Sequence, residues 1–295
     1  MPNGRTHEEI GKAAARLVLT CGLTPSAMSL LLEGRPDFIA ACSLPDRVDE
    51  VACVLPGEGP QTVLLGHNLS SFRHFQVGER GYRWLADDSL SIGGALVAAA
   101  GAVIGAQIVE YRNGLRPPPT GLEGATPLER ALLEQPGATV GTFRFPSAGE
   151  EADHYAQGAR YWLANGSPDP ARRCAGMVAH LVTDACCPPH GWGQILHGHA
   201  AFEDALEAQW HETLAEMIEA EQVADVLAPA VREELADIKA TSIEDLCIEN
   251  SLWTRRAFGE PRDMPECPGD VALRLSVRAV AATLRALELM TEVAS

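Results

Sequence analysis

Apolar residues recur along this chain at intervals of three and four, and almost nowhere at intervals of two. That periodicity belongs to helices that turn one face to a core. Ile10, Ala14, Leu17 and Val18 trace the first such stripe. Ahead of it, Thr6-His7-Glu8-Glu9 has the T-x-x-E form of a capping box, which predicts a helix from His7 to about Thr20. Short helical pieces are predicted over 25–33 and 35–42, the second leading into Leu44-Pro45-Asp46-Arg47. Further helices are expected near 127–134 and over 150–165, 169–187, 199–222, 223–240 and 268–293. Residues 51–66 carry short apolar runs broken by Pro and Gly, a small hairpin or an irregular loop, and the Pro-rich stretch 113–124 reads as loop. No repeat of 20–50 residues is present. The pattern predicts an all-α fold, one multi-helix domain over 1–295 with long loops.

Composition narrows the class. With 46% hydrophobic and 21% charged residues, a chain of 295 residues can bury a sizeable core. Its net charge is −17, and residues 201–250 set fourteen acids against Arg232 and Lys239. Such a surface reads as a solvated acidic face, and it repels phosphate backbones, so duplex nucleic acid is not an expected partner. The N-terminal stretch MPNGRTHEEIGKAAARLVL has no apolar h-region, which points to a cytoplasmic protein rather than a secreted one. Eight cysteines are scattered without zinc-ribbon spacing and read as reduced, mostly buried thiols.

The residues that carry chemistry are concentrated. His180-Leu181-Val182-Thr183-Asp184 is followed by Cys186-Cys187-Pro188-Pro189-His190, and nine residues on by His199-Ala200-Ala201-Phe202-Glu203. Two His/carboxylate pairs therefore stand at i,i+4, where side chains share a helix face about 5–6 Å apart at Cβ. Each pair can close on one ion. Imidazole and carboxylate are donors that zinc takes in sites that keep a position open for water. Cys186 and Cys187 are secondary candidates, since vicinal thiols reach one ion poorly. His154 and His211 read as structural histidines. Trp84, Tyr155, Tyr161 and Trp162 read as core; Trp192, in a Gly-Trp-Gly loop between two candidate ligands, is the candidate substrate-binding side chain.

The order H-x3-D-x5-H followed by H-x3-E resembles the zinc-dependent phospholipase C and single-strand-specific zinc nuclease superfamily. The resemblance implies a mostly helical fold around three Zn2+ ions. It implies that His180 and Asp184 serve two closely spaced ions, and that His190, His199 and Glu203 hold the third. It extends to His7 in R-T-H-E-E-I, to Asp46 in S-L-P-D-R and to His74 in S-F-R-H-F, with His67 and His197 as reserve positions. The ligands thus lie within 2–203, and 204–295 supply C-terminal helices. The family also uses a free N-terminal amine; removal of Met1 would expose Pro2, five residues before His7, as that ligand. Arg47 follows Asp46 where choline-selective lipases carry an aromatic, so choline specificity does not transfer.

The charge-free stretch 90–109, half Ala and Gly, has about the length of a membrane span. If His74 and His180 share one cluster, a single span between them would put them on opposite sides of a bilayer. A buried, close-packed helix is the expectation, and no transmembrane segment. The function implied is a zinc-dependent phosphoric diester hydrolase acting on a small phosphodiester or phospholipid. Metal-bridged hydroxide would attack phosphorus, with Asp46 orienting or deprotonating the water. The alternatives are a single-strand nuclease, a cytoplasmic lyase or cyclase on the same zinc scaffold, and a non-catalytic zinc protein.

Overall fold

In the computed structural model, the described residues are 4–32, 34–47, 52–54, 74–76, 107–109, 147–192, 199–210, 216–219, 222–258, 267 and 269–292. Among them the fold is all-α apart from one short ribbon. The helices are α1 (Gly4–Leu17), α2 (Pro25–Leu32), α3 (Arg35–Ala41), α4 (Leu44–Arg47), α5 (Ala148–Ala164), α6 (Pro168–Asp184) and α7 (Pro188–Trp192). They continue as α8 (His199–Trp210), α9 (Glu216–Glu219), α10 (Val223–Val226), α11 (Ala228–Asp237), α12 (Ile243–Ala257) and α13 (Gly269–Thr291). The ribbon pairs β1 (Ala52–Val54) with β2 (Gln107–Val109) antiparallel, Cys53 opposite Ile108.

Helix α6 is the axis of the site. Every residue from Cys174 to Asp184 is buried, with α5, α3 and α13 packed around it. Met177, Val178, Leu181 and Val182 are each fully buried, which contributes about 1.5–3 kcal/mol apiece. That apolar burial offsets the desolvation cost of carrying His180 and Asp184 on the same helix. Gly176 lets α3 close on it: a Cβ there would meet the Ala41 Cβ and the Phe38 carbonyl oxygen, each at 2.5 Å. Helix α13 is buried over most of its 23 residues. None of the described helices is long and apolar enough to cross a membrane.

Several boundaries differ from the sequence expectation, each for a local reason. Helix α1 begins at Gly4, so Thr6 is no N-cap. Thr6 and His7 are buried beside Ile10, and packing of that face draws the first turn into the helix. Glu9, expected to complete the box, pairs instead with Lys12 Nζ at 2.6 Å. The expected helix 90–109 is contradicted at its end: Ile108 and Val109, β-branched, pair with Cys53 and Ala52 in the ribbon. Residues 90–106 and the helix expected near 127–134 lie outside the described residues. Pro188 and Pro189 end the helix expected over 169–187 and open the separate turn α7. The stretch 199–222 stops at Trp210, with Glu216–Glu219 as a separate turn. That over 223–240 breaks at Leu227, where Pro229 restarts it as α11. Helix α12 was not anticipated, although Ser242 caps it by accepting from the Asp245 N–H at 3.1 Å, and Arg255 and Arg256 close it.

Candidate metal centre

The end of α6 supplies the first donors. His180 and Asp184, one turn apart, are both fully buried, with Nε2 to Oδ2 at 3.0 Å. Helix α1 packs alongside and brings His7, whose Nε2 lies 3.3 Å from Asp184 Oδ1. The His7 ring stacks on that of His180, centroids 3.8 Å apart. His74 arrives on the short described segment 74–76, its Nδ1 2.6 Å from Asp184 Oδ2 and 3.0 Å from His180 Nε2. The break at Pro188-Pro189 then turns the chain so that His190, on α7, and His199 and Glu203, one turn apart on α8, meet. Glu203 Oε1 is 3.0 Å from His190 Nε2 and 2.7 Å from His199 Nε2. Phe75 walls this second group, stacked on His190 with centroids 4.9 Å apart and edge-on to His199.

The outer nitrogens decide what the inner ones do. His180 Nδ1–H donates to the Cys42 carbonyl at 2.8 Å, and His190 Nδ1–H donates to the His74 carbonyl at 2.9 Å. A backbone carbonyl only accepts, so each neutral ring is held with its Nε2 lone pair turned inward. Inward, those lone pairs face carboxylate oxygens, acceptors against acceptors. Burial pushes His190 down to about 3, and the negative charge of Asp184 offsets this only in part, so the ring is neutral at ordinary pH. Burial opposes a charge on Asp184; positive charge on His180, His190 and His7 would outweigh it and hold the carboxyl well below the usual range, and a neutral His190 leaves that charge to be supplied by a cation. Its Oδ1 is buried without a hydrogen bond among the described residues. Lone pairs facing a buried anion are stable with a cation between them, and outer-nitrogen hydrogen bonds of this kind are how metal-ligating imidazoles are oriented. The donor set fits divalent metal in two groups: His7, His180 and Asp184, and His190, His199 and Glu203, donor atoms within 4.8 Å of one another in each.

Seven of the sequence candidates therefore meet: His7, His74, His180, Asp184, His190, His199 and Glu203. Asp46 lies on α4, three residues beyond the Ser43 that follows Cys42 in sequence, and its side chain is outside the described part, as are Pro2, His67, His197 and His211. Trp192 ends α7, half-buried, with the Arg255 guanidinium 4.5 Å from its ring centroid. His154, buried on α5, sits edge-on to Tyr155 and joins neither group. Tyr155 is core as expected, whereas Tyr161 is exposed. Cys186 donates to the Val182 carbonyl at 3.4 Å, and burial pushes its thiol up to about 12 and that of Cys187 up as well. Sequence reading passed over Thr183, which touches both His7 and His180, although it stands inside the H-x3-D motif. It also passed over Phe75 as a wall, although Phe75 adjoins His74.

Among the described residues, the fold and site together define an all-α protein, one short ribbon apart, with two buried His/carboxylate groups able to hold metal ions. The chain is similar to the crystal structure of alpha-toxin from Clostridium perfringens avian strain SWCP, with 14% sequence identity and a TM-score of 0.48. That likeness covers 99% of this chain and 65% of the other, so this chain spans under two-thirds of the toxin's length. No family model and no curated protein sequence matches the chain.

Proposed function

We propose that this protein is a zinc-dependent phosphodiester hydrolase acting on a small phosphodiester or a phospholipid. One observation carries the reading: His180 and His190, each pinned at Nδ1 by a backbone carbonyl, turn neutral Nε2 atoms onto the buried carboxylates of Asp184 and Glu203. Imidazole and carboxylate donors, with the neighbouring thiols kept protonated by burial, suit zinc in sites that leave a position open. We assign one ion to His7 and Asp184 with the Pro2 amine, one to His74, His180, Asp184 and Asp46, and one to His190, His199 and Glu203.

Zinc so held would lower the pKa of a bound water towards neutrality and neutralise charge on phosphoryl oxygens. The chain's own residues do the rest. Asp184 stands between the imidazoles of His7, His74 and His180 and keeps them in register. Phe75 excludes water from the second group and strengthens every charge interaction there. Asp46 is assigned to orient the attacking water and accept its proton. Trp192, carrying Arg255 over its face, is assigned to contact the substrate.

The test is metal analysis of purified protein, then assay against bis-nitrophenyl phosphate, phospholipid vesicles and single-stranded oligonucleotides. The reading expects bound zinc and chelator-sensitive release of nitrophenol, with phospholipid cleaved in preference to oligonucleotide. A protein that binds no divalent metal, or that holds zinc and cleaves none of the three, overturns it.

A further inference from the structure

The hydroxyl of Thr183 stands between the two helices that bring the first donors together. It is buried on α6, 2.7 Å from the His180 carbonyl oxygen and 2.9 Å from His7 Nδ1. A hydroxyl has one proton and can donate once. Of its two partners the carbonyl can only accept, whereas an imidazole nitrogen can donate. The proton therefore goes to the His180 carbonyl, and the Thr183 oxygen accepts from His7 Nδ1–H. Neutral His7 is left with its lone pair at Nε2, the atom 3.3 Å from Asp184 Oδ1.

We propose that Thr183 is a positioning residue that fixes the tautomer of His7, so that Nε2 rather than Nδ1 is offered to a divalent cation beside Asp184. The proposal rests on the metal reading of the site and adds the device that sets one ligand. Among the described imidazoles, His180 and His190 are held at Nδ1 by backbone carbonyls, whereas His7 is held there by a side-chain hydroxyl. A single substitution can therefore change the tautomer of His7 without removing a carboxylate from the site. Stacking on His180 holds the ring plane, so the proton position is the freedom Thr183 removes. A Thr donating to the carbonyl three residues back is ordinary in a helix. What is particular here is that the same oxygen also accepts from a ring on another helix.

The test reads ring nitrogens directly. In metal-free 15N-labelled protein at pH 8.5, long-range proton–nitrogen correlation should show His7 protonated at Nδ1, both in the native protein and in Thr183→Ser. Thr183→Val, which keeps the shape and removes the hydroxyl, should shift His7 to Nε2–H or to an average of the two. Zinc titration should show binding at the His7 group weakened about 10–100-fold in Thr183→Val, restored in Thr183→Ser, and unchanged at the His190 group. A native protein with His7 protonated at Nε2 overturns the proposal without any variant. So does a Thr183→Val protein that keeps the native nitrogen pattern or native zinc affinity at that group. Absence of zinc uptake by the native protein overturns the metal reading instead, because the nitrogen pattern is measured without metal.

Discussion

Arg278 Nε donates to Asn250 Oδ1 at 2.8 Å, and Asn250 Nδ2 donates in turn to the Val182 carbonyl at 3.2 Å, on the residue midway between His180 and Asp184. A buried guanidinium on α13 thereby braces the back of the helix that carries two candidate ligands. Its other nitrogens reach Glu234 at 2.7 Å and Glu249 at 3.1 Å, and its plane lies over Trp253. Both glutamates keep about a quarter of their surface and can rehydrate, but Asn250 is fully buried and cannot. Arg278→Ala should cost about 3 kcal/mol, the low end for breaking a buried charge network. Urea unfolding measures it; a loss under 1 kcal/mol would mean that the brace bears no load.

Gly176 and His180 sit one turn apart on the face of α6 that meets α3. The close approach at Gly176 is what puts the Cys42 carbonyl within reach of His180 Nδ1. Gly176→Ala should push α3 away, at about 1–3 kcal/mol of overpacking cost. It should also lower zinc affinity at the His180 group while leaving the His190 group as it was. A variant that loses stability but binds zinc normally at both groups would uncouple the helix contact from the site.

Buried thiols set an alkaline limit. An unfolded cysteine ionises near pH 8.5. In the fold, burial pushes Cys186 up to about 12, and Cys42, Cys187 and Cys247 up as well. A folded pKa above the unfolded one means stability that is full below about pH 8.5 and drains away as pH climbs towards the folded value. Between pH 9 and 11 each such thiol should steepen the loss by about 1.4 kcal/mol per pH unit. Cys247→Ala should flatten the slope by one such increment, measured by denaturant titration across that range. In the same native protein, iodoacetamide at pH 8 should leave these four unlabelled until denaturant is added.

The site was legible because its spacing is local. His180 with Asp184, and His199 with Glu203, are set by one helical turn each, and a turn is something sequence alone dictates. His7 and His74 are long-range partners, and only their place in a familiar order pointed to them. What spacing could not convey is the outer layer. The carbonyls of Cys42 and His74 that orient two rings come from backbone whose position depends on packing, and no residue type marks them. The ribbon failed for a similar reason: Ile108 and Val109 become strand only because Cys53 and Ala52 lie opposite, a pairing of distant segments. Helix α12 is a different case, since Ser242, Asp245 and Arg255–Arg256 mark both its ends in the sequence itself.

The two carboxylates should separate the ions. Glu203 touches His190 and His199, while Asp184 touches His7, His74 and His180, so each anchors its own group. Glu203→Gln should lose the ion of the His190 group and keep those around Asp184; Asp184→Asn should do the reverse. Metal bound only to the folded state stabilises it by about 2.7 kcal/mol at a free concentration 100 times Kd. At roughly 2–4 °C per kcal/mol, chelation of the native protein should lower Tm by about 5–10 °C for each ion removed. Each single variant should show part of that fall, and the double variant none. A double variant that still responds to chelator would place the stabilising ion elsewhere, and an unchanged zinc content in both single variants would remove Asp184 and Glu203 from the ligand set.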